Sequence, residues 1–223
     1  MTALSKFSLL LRRLRRRLRP DAYKEHFVQE ALDSLGRGVY LEIGVRLGDS
    51  FRYIKAREKI GVDPCRTKPM LKLRRGESFF EMTSDDFFHG PAVQLFTEKK
   101  ADVCLVDGLH TFRQALADVL NAAKILRSDG VIVLDDVYPD TADKACPIAH
   151  GRAWNGDVWK AMALLRSTQP DWEIYSLPVD EGVGLIRPHG RPAHAIATEE
   201  VARYQYMPYE ALATDPAIIG LTK

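Results

Sequence analysis

The sequence predicts an α/β fold in which a mostly parallel sheet is covered by helices on both faces. Two observations lead there. The strand-like runs, such as ADVCLVD (101–107) and VIVL (131–134), are apolar throughout instead of alternating, as strands buried on both faces must be. They also take turns with helical runs, the order that produces parallel crossover units. With 223 residues, 46% of them hydrophobic, one core of good size is within reach. No apolar run is long enough to span a bilayer.

Taken in order, residues 22–35 read as a helix stopped by Gly36, and VYLEIGV (39–45) as the first strand. A helix over 50–59, the strand KIGVD (59–63), a short helix in PMLKLRR (69–75) and the strand SFFEMT (78–83) follow. Another helix around PAVQLFTEK (91–99) leads to the fourth strand. In the stretch from Thr111 to Gly130, Phe112, Leu116, Val119, Ala123 and Leu126 share one helical face, and Gly130 lies past its end. The fifth strand, VIVLDD, precedes a helix at 156–167, where Asp157 is placed to cap the N-terminus. WEIYSLP (172–178) and GVGLIRP (182–188) form a closing hairpin. The tail 189–223 drops the alternation and carries Tyr204, Tyr206 and Tyr209, which suits a dimer surface or a lid.

The net charge of +2 conceals a basic arm. Residues 1–20 hold seven Lys or Arg and no acid, leaving 25 basic against 30 acidic residues elsewhere, a balance of −5. Leu11, Leu14 and Leu18 recur among the arginines at helical spacing, so the arm reads as a basic amphipathic helix, either a solvated or packed leader or a contact for a membrane surface, an anionic substrate or a nucleic acid. A signal peptide would segregate its charge from its apolar core. Cys65, Cys104 and Cys146 give neither an even count nor a CxxC pair, which fits a reducing, cytoplasmic setting.

In a parallel sheet, ligands bind beyond the carboxyl ends of the strands. After the first strand, Gly44 and Gly48 allow a tight turn and close backbone approach. Asp63, 19 residues beyond Gly44 and just after the second strand, is placed to accept hydrogen bonds from ribose hydroxyls. This pairing suits either NAD or S-adenosylmethionine, although no Tyr-x-x-x-Lys pair supports an NAD-dependent oxidoreductase.

ExGxxxGxS (42–50), Asp63, TSDDFF (83–88), VDGLH (106–110), LDDV (134–137) and WNGDVWKA (154–161), in that order, resemble a class I S-adenosylmethionine-dependent methyltransferase. The branch resembled is a small bacterial methyltransferase-domain group, with a layout similar to macrocin-type sugar O-methyltransferases. The resemblance implies a Rossmann-like three-layer sandwich over 21–188, with seven strands and an antiparallel last one. It further implies that Glu42 and Gly44 line the cofactor's methionine end, that Asp63 holds its ribose, that Ser84 and Asp85 flank its adenine, and that Gly48, Ser50 and Asp107 also belong to the cofactor site. Arg46 stands where many relatives have a third glycine, within reach of the cofactor carboxylate.

If the fourth and fifth strands are adjacent, Asp107, Asp135 and Asp136 fall on one rim, and three carboxylates there call for a cation. Hard oxygen ligands suit Mg²⁺, which would lower the pKa of a bound hydroxyl. His110, three residues after Asp107, is the candidate general base. The long loop after the fifth strand offers Tyr138, His150, Arg152, Trp154 and Asn155 to an acceptor. The reading that results is a Mg²⁺-dependent O-methyltransferase acting on a sugar, glycan or related natural product, expected as a homodimer without nucleic acid. Metal-independent N- or carboxyl-methylation, and a non-catalytic binding module using the arginine-rich arm, are the alternatives.

Overall fold

The computed structural model describes residues 18–67, 72–149 and 154–221. Among the described residues, seven strands form one sheet in the order β3-β2-β1-β4-β5-β7-β6. They are β1 (Val39–Ile43), β2 (Glu58–Val62), β3 (Glu77–Phe80), β4 (Ala101–Val106), β5 (Leu126–Leu134), β6 (Glu173–Leu177) and β7 (Val183–Arg187). The pairings from β3 through β5 are parallel, while β7 runs antiparallel between β5 and β6. This is the expected mostly parallel, Rossmann-like sheet with an antiparallel last strand. The strand order reverses between β1 and β4, where such folds open a crevice.

Side-chain parity divides the core in two. Leu41, Ile43, Cys104, Val106, Ile132 and Leu134 point to one face, beneath α3 (Ser84–His89), α4 (Pro91–Leu95), α5 (Phe112–Ile125) and α6 (Trp159–Thr168). Tyr40, Val103, Leu105, Val131 and Val133 point to the other, beneath Val28 and Leu32 of α1 (Lys24–Ser34) and Phe51 of α2 (Asp49–Tyr53). The alternation is the two-residue period of any strand, and it continues into the residues just past the strand tips.

Several boundaries differ from the sequence expectation for local reasons. The first strand ends at Ile43 because Gly44 turns the chain with φ +87°. The helix expected over 50–59 stops at Tyr53: the amides of Arg57 and Glu58 bond to the carbonyls of Arg37 and Gly38, which draws this segment into β2. The short helix expected at 69–75 lies partly outside the described residues, and residues 72–75 are not helical. Asp157 does not cap its own helix. Its Oδ1 accepts from the Phe112 amide at 2.7 Å, so it caps α5, whose start has no cap of its own side chains.

The tail packs on the sheet instead of standing away from it. Helices α7 (Thr198–Gln205) and α8 (Tyr209–Thr214) and the 3₁₀ turn Pro216–Ile219 bury Leu212 and Ile219 completely. The Ser176 amide bonds to the Gly220 carbonyl and its hydroxyl to that of Ile219. Leu212→Ala is therefore expected to cost about 2–5 kcal/mol in urea unfolding, as a core truncation does; a loosely attached lid would lose almost nothing.

Candidate active site

The candidate site lies on the carboxyl-end rim of β1, β2, β4 and β5. On its cofactor side, Gly44 is a fixed requirement: a Cβ there would stand 1.9 Å from the Asp107 carbonyl oxygen. The turn through Gly48 is closed by the Gly48 amide on the Val45 carbonyl at 2.7 Å. Asp63 holds this turn, its Oδ2 accepting from the Arg46 amide at 2.7 Å and its Oδ1 from the Cys65 amide at 2.8 Å. Each carboxylate oxygen retains a lone pair, so Asp63 is able to accept ribose hydroxyls as well. Ser84 and Asp85 open α3, where Gln114 Nε2 donates to both and to Asp118, at 3.2, 3.1 and 3.1 Å. The Arg46 side chain is exposed, with its backbone at φ +47°. Ser50 is buried and donates to Glu25 Oε1 of α1 at 2.9 Å, which ties α2 to α1. Gly44, which no side chain could replace, Gly48 in the left-handed region and the Asp63 carboxylate at the second strand tip together fit a nucleoside cofactor.

Glu42 lies beneath this turn, 1% exposed, and accepts from the Tyr40 hydroxyl at 2.7 Å. Burial pushes its carboxyl from the ordinary 4.5 up to about 8, against the opposing effect of Tyr40. Unfolding would return it to the ordinary value. Between these two pH values the folded state holds the extra proton, and the stability it confers falls as pH rises through the window. Glu42→Gln keeps an acceptor for Tyr40 and cannot ionise. Its melting temperature should rise relative to the parent as pH goes from about 5 to about 9, measured in thermal scans across that range; a constant difference would show that Glu42 does not titrate there.

Beside the cofactor side, Asp107 and Asp135 are neighbours, since Val106 pairs with Leu134 in register and the Asp135 amide bonds to the Val106 carbonyl at 3.0 Å. By parity both point toward the α1 face, and there they meet Lys24, the first residue of α1. Its Nζ lies 2.6 Å from Asp107 Oδ2 and also pairs with Asp135 Oδ2, with Lys24 only 4% exposed. Asp136 turns the other way. Its backbone adopts φ +60°, a strained value for a residue other than glycine and one that clusters at functional sites. Its Oδ1 accepts from Asn155 Nδ2 at 3.1 Å, and its Oδ2 lies 3.3 Å from His110 Nε2.

His110 stands between two carboxylates, with Nε2 also 3.7 Å from Asp107 Oδ1. Its Nδ1 lies 3.0 Å from the Trp154 carbonyl, to which only an N–H makes a hydrogen bond. The Trp154 ring stacks on the imidazole with centroids 5.0 Å apart, and its Nε1 donates to the Cys146 carbonyl at 2.5 Å. Burial works against charge on His110, but the neighbouring Asp107 outweighs it and raises the pKa. Burial would likewise raise Asp107, yet Lys24 and His110 hold it down to about 2. Burial, first of all, pushes both Asp135 and Asp136 well above the usual carboxylate range.

The predicted residues are thus brought together with one division. Asp107, His110 and Asp136 place ligand atoms within 4.8 Å of one another, a spacing that fits a divalent ion. Asp135 is drawn off to Lys24, and its Oδ1 is buried without a hydrogen-bond partner. Asn155 is fully buried, bonding Asp136 and the Glu181 carbonyl at 2.9 Å, so it positions the rim. Tyr138 is half-buried, with its amide on the Glu181 carbonyl at 3.0 Å. His150 and Arg152 lie outside the described residues. Lys24, Glu25, Gln114 and Asp118 were not singled out by sequence. Lys24 and Glu25 belong to a helix that precedes the first strand tip, and only the folded geometry carries them to the rim.

Residues 41–137 match a family model described as a methyltransferase domain. No curated protein matches the chain. Among solved structures, the chain is similar to the O-methyltransferase from Bacillus cereus in complex with SAH, at 14% identity and a TM-score of 0.54, covering 80% of this chain and 90% of that one. It is also similar to the cofactor-bound protein Rv0187 from MTB, at 12% identity and a TM-score of 0.54, covering 73% and 78%. Among the described residues no helix is long and apolar enough to cross a membrane. The matched segment contains the glycine turn, Asp63 and the whole carboxylate rim, and the similarity to these solved structures shows that the chain has a Rossmann-like methyltransferase fold.

Proposed function

We propose that the protein is an S-adenosylmethionine-dependent O-methyltransferase acting on a hydroxyl of a sugar, glycan or related polyhydroxylated molecule. The observation that carries this reading is the placing of His110 Nε2, between Asp107 and Asp136, at the edge of the cradle formed by Gly44, Gly48 and Asp63. The SAH complex of the structurally similar Bacillus cereus enzyme supports the cofactor. In the reaction, the acceptor oxygen attacks the sulfonium methyl group in line. The new O–C bond forms as the C–S bond breaks, sulfur keeps the electron pair, and the hydroxyl proton passes to Nε2 of the neutral imidazole.

The chain's residues arrange that transfer. The Trp154 carbonyl fixes the proton on Nδ1, leaving the Nε2 lone pair toward the acceptor. Asp107, held ionised by Lys24, stabilises the imidazolium that results, as a carboxylate does for a catalytic histidine. A hydroxyl-bearing acceptor is supported by the four polar side chains, Asp107, His110, Asp135 and Asp136, that gather beside Val106, Leu134 and Val158 in the small concavity between the β4 and β5 tips. Such groups bond hydroxyls well.

A second reading follows from the ligand spacing. Asp107, His110 and Asp136 would hold a divalent ion such as Mg²⁺, which when bound supplies charge to polarise and orient the acceptor oxygen. His110 would then be a ligand, and the proton would fall to another acceptor. Assembly as a homodimer, a cytoplasmic setting and peripheral membrane contact through residues 1–20 remain proposals; residues 1–17 lie outside the described part of the chain.

Calorimetric titration with S-adenosylhomocysteine tests the cofactor reading. Binding in the micromolar range is expected, weakened at least about ten-fold in Asp63→Ala by loss of the ribose acceptor. Methyl transfer from labelled S-adenosylmethionine to a panel of sugars and phenols then tests the chemistry. His110→Ala should lower kcat by about 10²–10⁴-fold with S-adenosylhomocysteine affinity kept. Absence of S-adenosylhomocysteine binding would overturn the proposal.

A further inference from the structure

We propose that Lys24 is a positioning residue, a built-in cation that fixes Asp107 and Asp135 and takes the charge-balancing place a divalent ion would have between those two carboxylates. The inference rests on the site as described and does not require the reaction to be methyl transfer. Three independent features of the fold carry it.

The first is contact. A single buried ammonium bridges the tips of two adjacent strands, bonding Asp107 at 2.6 Å and Asp135 in the same grip. An ammonium has three donors, and here two are spent on the very pair whose mutual repulsion otherwise asks for a metal. The second is cost. Lys24 is the first residue of an eleven-residue helix, where the macrodipole disfavours a cation, and it is almost wholly buried. A lysine kept there must be held by the carboxylates it meets. The third is anchoring. The Lys24 amide donates to Asp180 Oδ2 at 3.1 Å, and the adjacent Glu25 is buried against Ser50. The helix end is thus pinned to the β6–β7 turn on one side and to the cofactor loop on the other.

The consequence is a rim with two compartments. On the α1 face, Lys24 balances Asp107 and Asp135; on the opposite face, His110 lies between Asp107 and Asp136. An ion shared by all three aspartates would have to displace the lysine.

The test measures Mn²⁺ binding to the full chain by loss of the free-ion EPR signal, with thermal scans in the presence and absence of MgCl₂. The parent should bind Mn²⁺ weakly, and Mg²⁺ should leave its melting temperature unchanged. Lys24→Met should bind Mn²⁺ at least ten-fold more tightly and be stabilised by Mg²⁺, because the ion fills the vacated place. Lys24→Arg, which keeps the charge, should behave as the parent. Tight Mn²⁺ binding by the parent that Lys24→Met leaves unchanged or weakens would overturn the proposal, as would an equal gain in Lys24→Arg. If Lys24→Met does not fold, the double variant Lys24→Met/Asp135→Asn decides. It removes the cation together with one carboxylate and should fold; a double variant no more stable than the single one would overturn the proposal. Titration of the parent with S-adenosylhomocysteine separates this outcome from the cofactor reading, since the metal result stands whether or not the nucleoside binds.

Discussion

The rest of the site depends on one ionic contact, Lys24 between Asp107 and Asp135. Register places these two residues side by side at the tips of neighbouring parallel strands, whose backbones lie about 4.8 Å apart by ordinary sheet geometry. Two buried like charges at that spacing oppose the fold unless something cationic joins them. The ammonium that joins them arrives from α1, so the position of this helix, the height of both strand tips and the free side of Asp107 are fixed together. What Asp107 has left, its Oδ1, is what faces His110.

Around this contact the functional groups are sorted by strand parity. Odd-numbered positions in β4 and β5 point toward α1, so Asp107 and Asp135 continue the rows of Val103 and Leu105 and of Val131 and Val133. Asp136 continues the opposite row of Ile132 and Leu134, and its left-handed backbone completes the turn toward His110 and Asn155. The loop after β5 supports this second compartment from behind. Trp154 stacks on the imidazole, and the amides of Asn155 and Gly156 bond to the Lys144 carbonyl. A Cβ on Gly156 would lie 1.8 Å from the His110 carbonyl oxygen, so the loop touches the backbone of the proposed base. A rigid sheet, a strained turn and a packed loop thereby fix the three groups that face the acceptor.

Much of this was legible in the sequence. Apolar strands alternating with helices gave the sheet, and glycines and acids just past the strands located the rim, because short-range pattern and strand ends suffice for both. The adjacency of Asp107 with the Asp135 and Asp136 pair depends on β4 and β5 being neighbours, which the sheet order shows. Parity, which sends Asp135 and Asp136 to opposite faces, corrects the expectation that both share one ion with Asp107. The partner of Asp135 was not legible: Lys24 lies 111 residues away on a helix whose sequence reads as an ordinary amphipathic segment. Likewise, Asp157 caps α5 instead of its own helix, a long-range bond that no local capping pattern announces. Trp154 looked like a platform for an acceptor, whereas the fold gives one of its faces to His110.

Anomalous diffraction from crystals grown with S-adenosylhomocysteine and Mn²⁺ addresses the division of the rim most directly. The account predicts the nucleoside between the Gly44 turn and Asp63, with Lys24 still bridging Asp107 and Asp135 and no manganese peak on Asp135. A manganese peak coordinated jointly by Asp107, Asp135 and Asp136, with the Lys24 side chain displaced from the cluster, would contradict it.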